Sequence, residues 1–134
     1  MEPRFDMKCL ETSFLVDVLR GNQAVKQRML ELDKEPRLFA TSVSAFELYY
    51  GAEISAKKEA NARAVDNLLN GLALLDFNMD AAKIAGSIQA SLANEGFQIG
   101  LNDVFIAATA MANNCALVTQ NKKHFQRIRG LKIE

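Results

Sequence analysis

Four polar residues stand at seams where an apolar run of this chain gives way to something else. Glu11 closes the run over 7–10. Glu47 comes within a turn of the end of LFATSV. Asp103 opens the apolar stretch NDVFIAATAMANN, and Asn121 follows CALVT, with Thr119 just ahead of it. They are far apart in sequence, so only folding can assemble them. Brought together, three carboxylates and an amide form an all-oxygen set, which suits a hard divalent ion such as Mg²⁺ or Mn²⁺. Without a cation such acids repel one another. An ion held this way can polarise a phosphodiester and activate water for in-line attack. That chemistry needs no side-chain nucleophile. The sequence agrees: it has one histidine, no G-x-S-x-G stretch and no Gly-rich phosphate loop.

Each of the four also has a structural explanation. Ser44-Ala-Phe-Glu47 is a capping-box pattern. Asp103 suits the positive end of a helix, and Asn121 suits a turn. Glu11 is the hardest to explain without a ligand, because an unpaired carboxylate at a buried seam is expensive.

The elements that must position these residues follow from apolar spacing. Strands are expected over 7–11, 38–43, 72–77 and 115–119, with a last edge strand over 131–134. Helices are expected over 13–20, 22–34, 44–60 and on to Asn70, from Asp80 through Leu92, and over 102–114 with Asn102 as cap. A short helical or looped piece is expected around KHFQRI. Strands alternating with helices favour a parallel sheet covered on both faces. In such sheets ligands gather at the carboxyl ends of the strands, where the four polar residues fall.

The 134 residues suffice for a single domain, 1–134, with residues 1–6 as a loose tail. Apolar residues make up 49%, which excludes a disordered chain. The 16 basic and 16 acidic side chains cancel, so net charge gives no argument for a nucleic-acid partner. Glu2, Arg4, Asp6 and Lys8 interrupt any signal-peptide core. No apolar run reaches the ~18 residues of a membrane span. Cys9 and Cys115 lie in short apolar runs and read as buried thiols in a reducing cytoplasm. With one histidine they give no zinc spacing.

LETSFLVDVLRG, SAFELYYGA and IGLNDVFIAATAMANNCALVTQNKKHFQRI together resemble the PIN-domain ribonuclease toxins of the VapC type, over about 7–134. The resemblance implies a PIN-like three-layer α/β/α sandwich with a central, mainly parallel sheet. It implies Mg²⁺- or Mn²⁺-dependent cleavage of RNA, a homodimer, and a VapB-type antitoxin that blocks the site and carries any contact with operator DNA. Residue by residue, the family's acids fall on Glu11, Glu47 and Asp103 as metal ligands, and its fourth polar position on Asn121. Thr119 and Thr12 fall beside them as supporting hydroxyls. One position departs: the family usually has Asp where this chain has Glu11, one methylene or roughly 1.5 Å longer. Mg²⁺ demands ligands at about 2.0–2.1 Å in near-octahedral geometry. Three outcomes stay open: the site adapts to the longer acid, shifts the metal or is inactive. If the ligand is misplaced, Glu11→Asp raises cleavage, and if the site has adapted, Glu11→Asp lowers it.

Other stretches carry weaker signals. Lys122, Lys123, Arg127, Arg129 and Lys132 sit with no acid among them. They can grip an RNA backbone beside Asn121 or form a solvated surface. His124 reads as a turn or surface residue. Phe46, Leu48, Tyr49, Tyr50, Ile54 and Leu68 exceed what one small face needs and suit a mixture of core, dimer and antitoxin contact. Ala85, Gly86 and Ala90 suit close helix packing. Two other functions compete with a nuclease. A catalytically weak or inactive binding module would keep the fold, pair with an antitoxin and act in autoregulation of its operon. A phospho-acceptor receiver domain would need an acidic pair in its first loop, where Glu11 stands alone.

Overall fold

The computed structural model describes residues 7–134, so the tail expected over 1–6 lies outside the described residues. Four strands, β1 (Met7–Leu10), β2 (Leu38–Thr41), β3 (Ala73–Leu75) and β4 (Cys115–Val118), form one sheet in the order β3-β2-β1-β4. All three strand pairings are parallel. Side chains alternate across the pleat and split the core in two. Cys9, Phe39 and Leu117 face one layer, and Leu10, Leu38, Ala40 and Val118 face the other. The first layer is covered by α5 (Met79–Asn94) and α6 (Leu101–Ala112), which pack along each other. The second is covered by α1 (Thr12–Leu19), α2 (Gln23–Leu32), α3 (Ser42–Glu53) and α4 (Lys58–Asn70). A short α7 (Lys122–Phe125) follows β4. This is the expected three-layer α/β/α sandwich.

Several expected boundaries moved, each for a local reason. β2 ends at Thr41, whose hydroxyl oxygen accepts the Ser44 amide at 3.0 Å and caps α3. Ser44 is therefore inside the helix, and the Ser44–Glu47 capping box does not form. Gly100, not Asn102, is the N-cap of α6. Asn78 caps α5 ahead of Asp80, accepting the Ala81 amide at 3.0 Å. The expected edge strand over 131–134 shrinks to a single bridge between Leu117 and Ile133. Of Ala85, Gly86 and Ala90 on α5, only Ala85 is buried. Gly86 and Ala90 are exposed, and a Cβ on Gly86 would meet nothing. Burial pushes both thiols up, Cys115 to about 11, so neither is poised as a nucleophile.

The strand order matters for function. From β1 the chain adds β2 and β3 outward on one side, then returns to place β4 on the other. The reversal lies between β1 and β4. In parallel α/β sheets the crevice at such a reversal, beyond the strands' carboxyl ends, is where ligands bind. Glu11 follows β1 and Thr119 follows β4.

Candidate active site

Glu11 is 4% exposed and sits at the N-cap of α1. One carboxylate oxygen, Oε2, accepts the Ser13 amide at 3.0 Å. The other, Oε1, accepts the hydroxyls of Ser13 and Thr119, each at 2.5 Å, a length usual for O–H···O⁻ contacts. Ser13 Oγ also accepts the Gln120 amide at 3.2 Å, and Thr119 Oγ1 accepts the Asn121 amide at 2.9 Å. The carboxylate thus ties the end of β1 to the loop after β4. This corrects the expectation that capping leaves Glu11 unexplained. It is a cap, and its charge faces the positive end of α1.

Thr12, the first residue of α1, donates its hydroxyl to Glu47 Oε1 at 2.8 Å, and its oxygen lies 2.8 Å from Ser44 Oγ. Glu47 is in the second turn of α3, one turn beyond buried Ser44. Asp103 lies in the first turn of α6, and its Oδ2 is 2.8 Å from His124 Nε2. Both side chains are about 30% exposed. His124 is therefore not merely a turn or surface residue: it touches the third acid. Asn121 takes the N-cap position of α7 without a side-chain capping bond.

Glu11, Glu47 and Asn121, with Thr12 and Thr119, thus lie at or just beyond the ends of β1, β2 and β4, and Asp103 opens α6 and meets them through His124 of α7. The structure joins them as three small groups, Glu11–Ser13–Thr119, Thr12–Ser44–Glu47 and Asp103–His124. Among the described residues, no three of the Asp, Glu, His and Cys side chains are gathered as a ready cluster for a metal ion. None of the three acids lies on the opposite edge of the sheet, and each is held by a separate partner rather than in one ready ligand set. Hydroxyls and a ring nitrogen hold each acid in its own place.

Even so, the donor chemistry fits a hard divalent ion. The acids supply oxygen, and the two thiols lie in the core on either side of β1–β4 pairing. Glu47 Oε2 and Asp103 Oδ1 carry no hydrogen bond to the protein among the described residues. Glu11 has no such free oxygen.

Sequence reasoning missed Ser13, Ser44 and His124. The hydroxyl pair that follows the acid, Thr12 and Ser13, was a signal for Ser13. Nothing in the spacing pairs His124 with Asp103.

The predicted basic grip divides. Arg127 stacks over the Phe97 ring at 4.0 Å, and Arg129 pairs with Glu95 at 3.2 Å. Lys122 and Lys123 have no ion-pair partner among the described residues. They line a polar hollow with Thr119, Gln120 and Asn121.

The PIN-domain family matches residues 8–131. A protein named Ribonuclease VapC2 from Rickettsia felis is 35% identical over 126 residues, covering 93% of this chain and 94% of its own length. One named tRNA(fMet)-specific endonuclease VapC from Salmonella typhimurium is 38% identical over 98 residues, covering 73% of this chain and 74% of its own. In three dimensions the chain matches VapBC2 of Rickettsia felis bound to a promoter DNA fragment, with TM-score 0.89 and 32% identity. That match covers 96% of this chain and 97% of the other. On this fold and these similarities, the chain belongs to the PIN-domain family as a VapC-type toxin.

Proposed function

We propose that the protein is a divalent-metal-dependent endoribonuclease, the toxin of a VapBC pair. The observation that carries this reading is the acid edge. Glu11 follows β1 at the switch point, Glu47 lies on α3 beyond the end of β2, and Asp103 opens α6 against His124 of α7, which follows β4, in a chain whose relatives are named ribonucleases. Glu47 and Asp103 would hold the ion, with Glu11 joining once it gives up a hydroxyl and Asn121 alongside. When bound, the ion supplies Lewis-acid polarisation of the phosphate and activation of water. The chain's own residues prepare the place. Thr12 orients Glu47, His124 orients Asp103, and Ser13 with Thr119 fix Glu11. Such outer contacts typically tune metal sites by about 10–100-fold. Lys122 and Lys123 add positive charge beside Asn121 for the RNA backbone. The test is cleavage of a panel of structured RNAs with Mg²⁺, with Mn²⁺ and with a chelator. Cleavage that persists undiminished in the chelator would sink the metal reading.

One observation favours a second reading, a catalytically weak binding module: both Glu11 oxygens are already committed to Ser13 and Thr119. Absence of cleavage of any RNA in either metal, with antitoxin binding retained, would select it.

For partners, two surfaces stand out. An apolar groove lined by Val16, Leu19, Leu48, Ala52 and Val65 has Glu47 and Arg20 among its walls. It suits an antitoxin helix that brings an Arg to the acids, because a guanidinium fork pairs with carboxylates. A separate stripe at four-residue spacing, Phe46, Tyr50 and Ile54, is exposed, with Ile54 at 68%. The Phe46 and Tyr50 rings lie 6.2 Å apart. The stripe suits a second copy of the chain. Tyr50→Asp should therefore turn a dimer into a monomer in sedimentation while leaving the far-UV spectrum unchanged. A parent that is strictly monomeric at high concentration would remove the dimer. No helix among the described residues is long and apolar enough to cross a membrane, and we place the pair in the cytoplasm.

A further inference from the structure

We propose that Phe97 and Arg127 form a stacking platform for one unpaired nucleobase next to the cleavage edge. This rests on the ribonuclease reading and assigns to it a base-binding subsite.

The backbone under Phe97 is fixed. Gly96 ends α5 with a left-handed φ of 75°, and the Phe97 amide returns to the Leu92 carbonyl at 2.9 Å. That pair of features is a Schellman-type stop, in which the residue after the glycine usually packs its side chain inward. Here the ring stays 40% exposed and carries the Arg127 guanidinium 4.0 Å from its centroid. Arg127 is itself exposed, so one face of the guanidinium meets the ring while the rest of the group meets solvent.

The platform is also placed by the acid edge. The Gln126 amide bonds the Lys122 carbonyl and the Ile128 amide bonds the Phe125 carbonyl, so the helical turn of α7 continues through Arg127. Residues three apart on such a turn share a face at about 5–6 Å. His124 and Arg127 are three apart. Asp103–His124 and Phe97–Arg127 are therefore successive rungs between the loop leading into α6 and the α7 turn. A phosphate at the Asp103 rung would have a neighbouring base within reach of the Arg127 rung. Guanidinium planes and aromatic rings are the usual surfaces on which splayed RNA bases stack, whatever the base. Arg129, two residues on, pairs at the surface with Glu95, the residue before Gly96.

The probes are two fluorescein-labelled RNA hexamers, an oligo(A) and one with the same phosphates but no bases. Their binding to the full chain is measured by anisotropy in Ca²⁺. The parent should bind the oligo(A) roughly tenfold to hundredfold more tightly than the abasic hexamer, the range expected for one stacked base. Arg127→Lys keeps the charge and removes the flat face, and Phe97→Leu keeps an apolar contact and removes the ring. Both should reduce the gap to threefold or less with abasic binding unchanged. A gap unaltered in both variants overturns the platform. So does an Arg127→Lys protein that matches the parent while Arg127→Gln loses both hexamers equally, because Arg127 is then a phosphate contact only. Melting curves confirm that each variant is folded, and Phe97→Leu decides if Arg127→Lys is not. Cleavage of RNA by the parent in Mn²⁺ reports separately on the ribonuclease reading. A parent that cleaves but binds both hexamers alike loses the platform alone. One that neither cleaves nor binds loses both.

Discussion

Asp103→Asn should lower single-turnover RNA cleavage by about 10²–10⁴-fold, since ion-mediated charge stabilisation is worth several kcal/mol and each 1.36 kcal/mol is tenfold. Stability should change little. The side chain is about 30% exposed, and His124 is its one side-chain partner among the described residues. Its charge at the start of α6 is worth roughly 0.3–1 kcal/mol. The metal should act on stability in the opposite way. An ion that binds only the folded chain stabilises it by mass action, about 2.7 kcal/mol at a hundred times its Kd. Mn²⁺ should therefore raise the parent's Tm, and the rise should be absent in Asp103→Asn. Equal shifts in the two proteins would place the ion elsewhere.

Glu11→Ala should damage both properties at once. Loss of an N-cap costs about 1 kcal/mol, and each charge-assisted hydrogen bond about 1.5–3. The buried Thr119 hydroxyl and the Ser13 amide would also lose their acceptor. A destabilisation of about 2–4 kcal/mol follows, a fall in Tm on the order of 10 °C for a domain of this size. The conservative variant is more informative. The extra methylene of Glu11 left open a misplaced ligand that Asp would correct and a site adapted to the longer acid. The contacts favour the second, with the longer acid spanning from the Ser13 amide to the Thr119 hydroxyl across two strand ends. Aspartate, roughly 1.5 Å shorter, can keep the cap but not the second contact. Glu11→Asp should therefore melt between parent and Glu11→Ala and cleave more slowly than the parent. A faster Glu11→Asp protein would show that the site is not built around glutamate.

By itself the sequence determined the layout. Strands such as LFAT and CALV, buried along their length, could only sit inside a covered sheet. Alternation with helices made that sheet parallel, and parallel sheets put polar seam residues at one edge. Hence Glu11, Glu47, Asp103 and Asn121 could be picked out, and GLNDVFIAATA with VTQNKKHF pointed to the family. Tertiary structure decided what each acid touches. The contact of Glu11 with Thr119 spans 108 residues, and that of Asp103 with His124 spans 21. No local pattern encodes such pairs, because they depend on which strands become neighbours and where each strand stops. The same reason moved the α3 cap. Thr41 and Ser44 are both good caps in isolation, and the choice fell to Thr41 because pairing with β3 ends there. It also separated the basic residues: Arg127 found a ring and Arg129 a carboxylate only once the end of α5 was brought against the α7 turn. On α3, sequence showed too many apolar residues for one face. Only packing fixed Leu48 and Ala52 in the core and left Phe46, Tyr50 and Ile54 outside, because a helix has two sides and the sheet covers one.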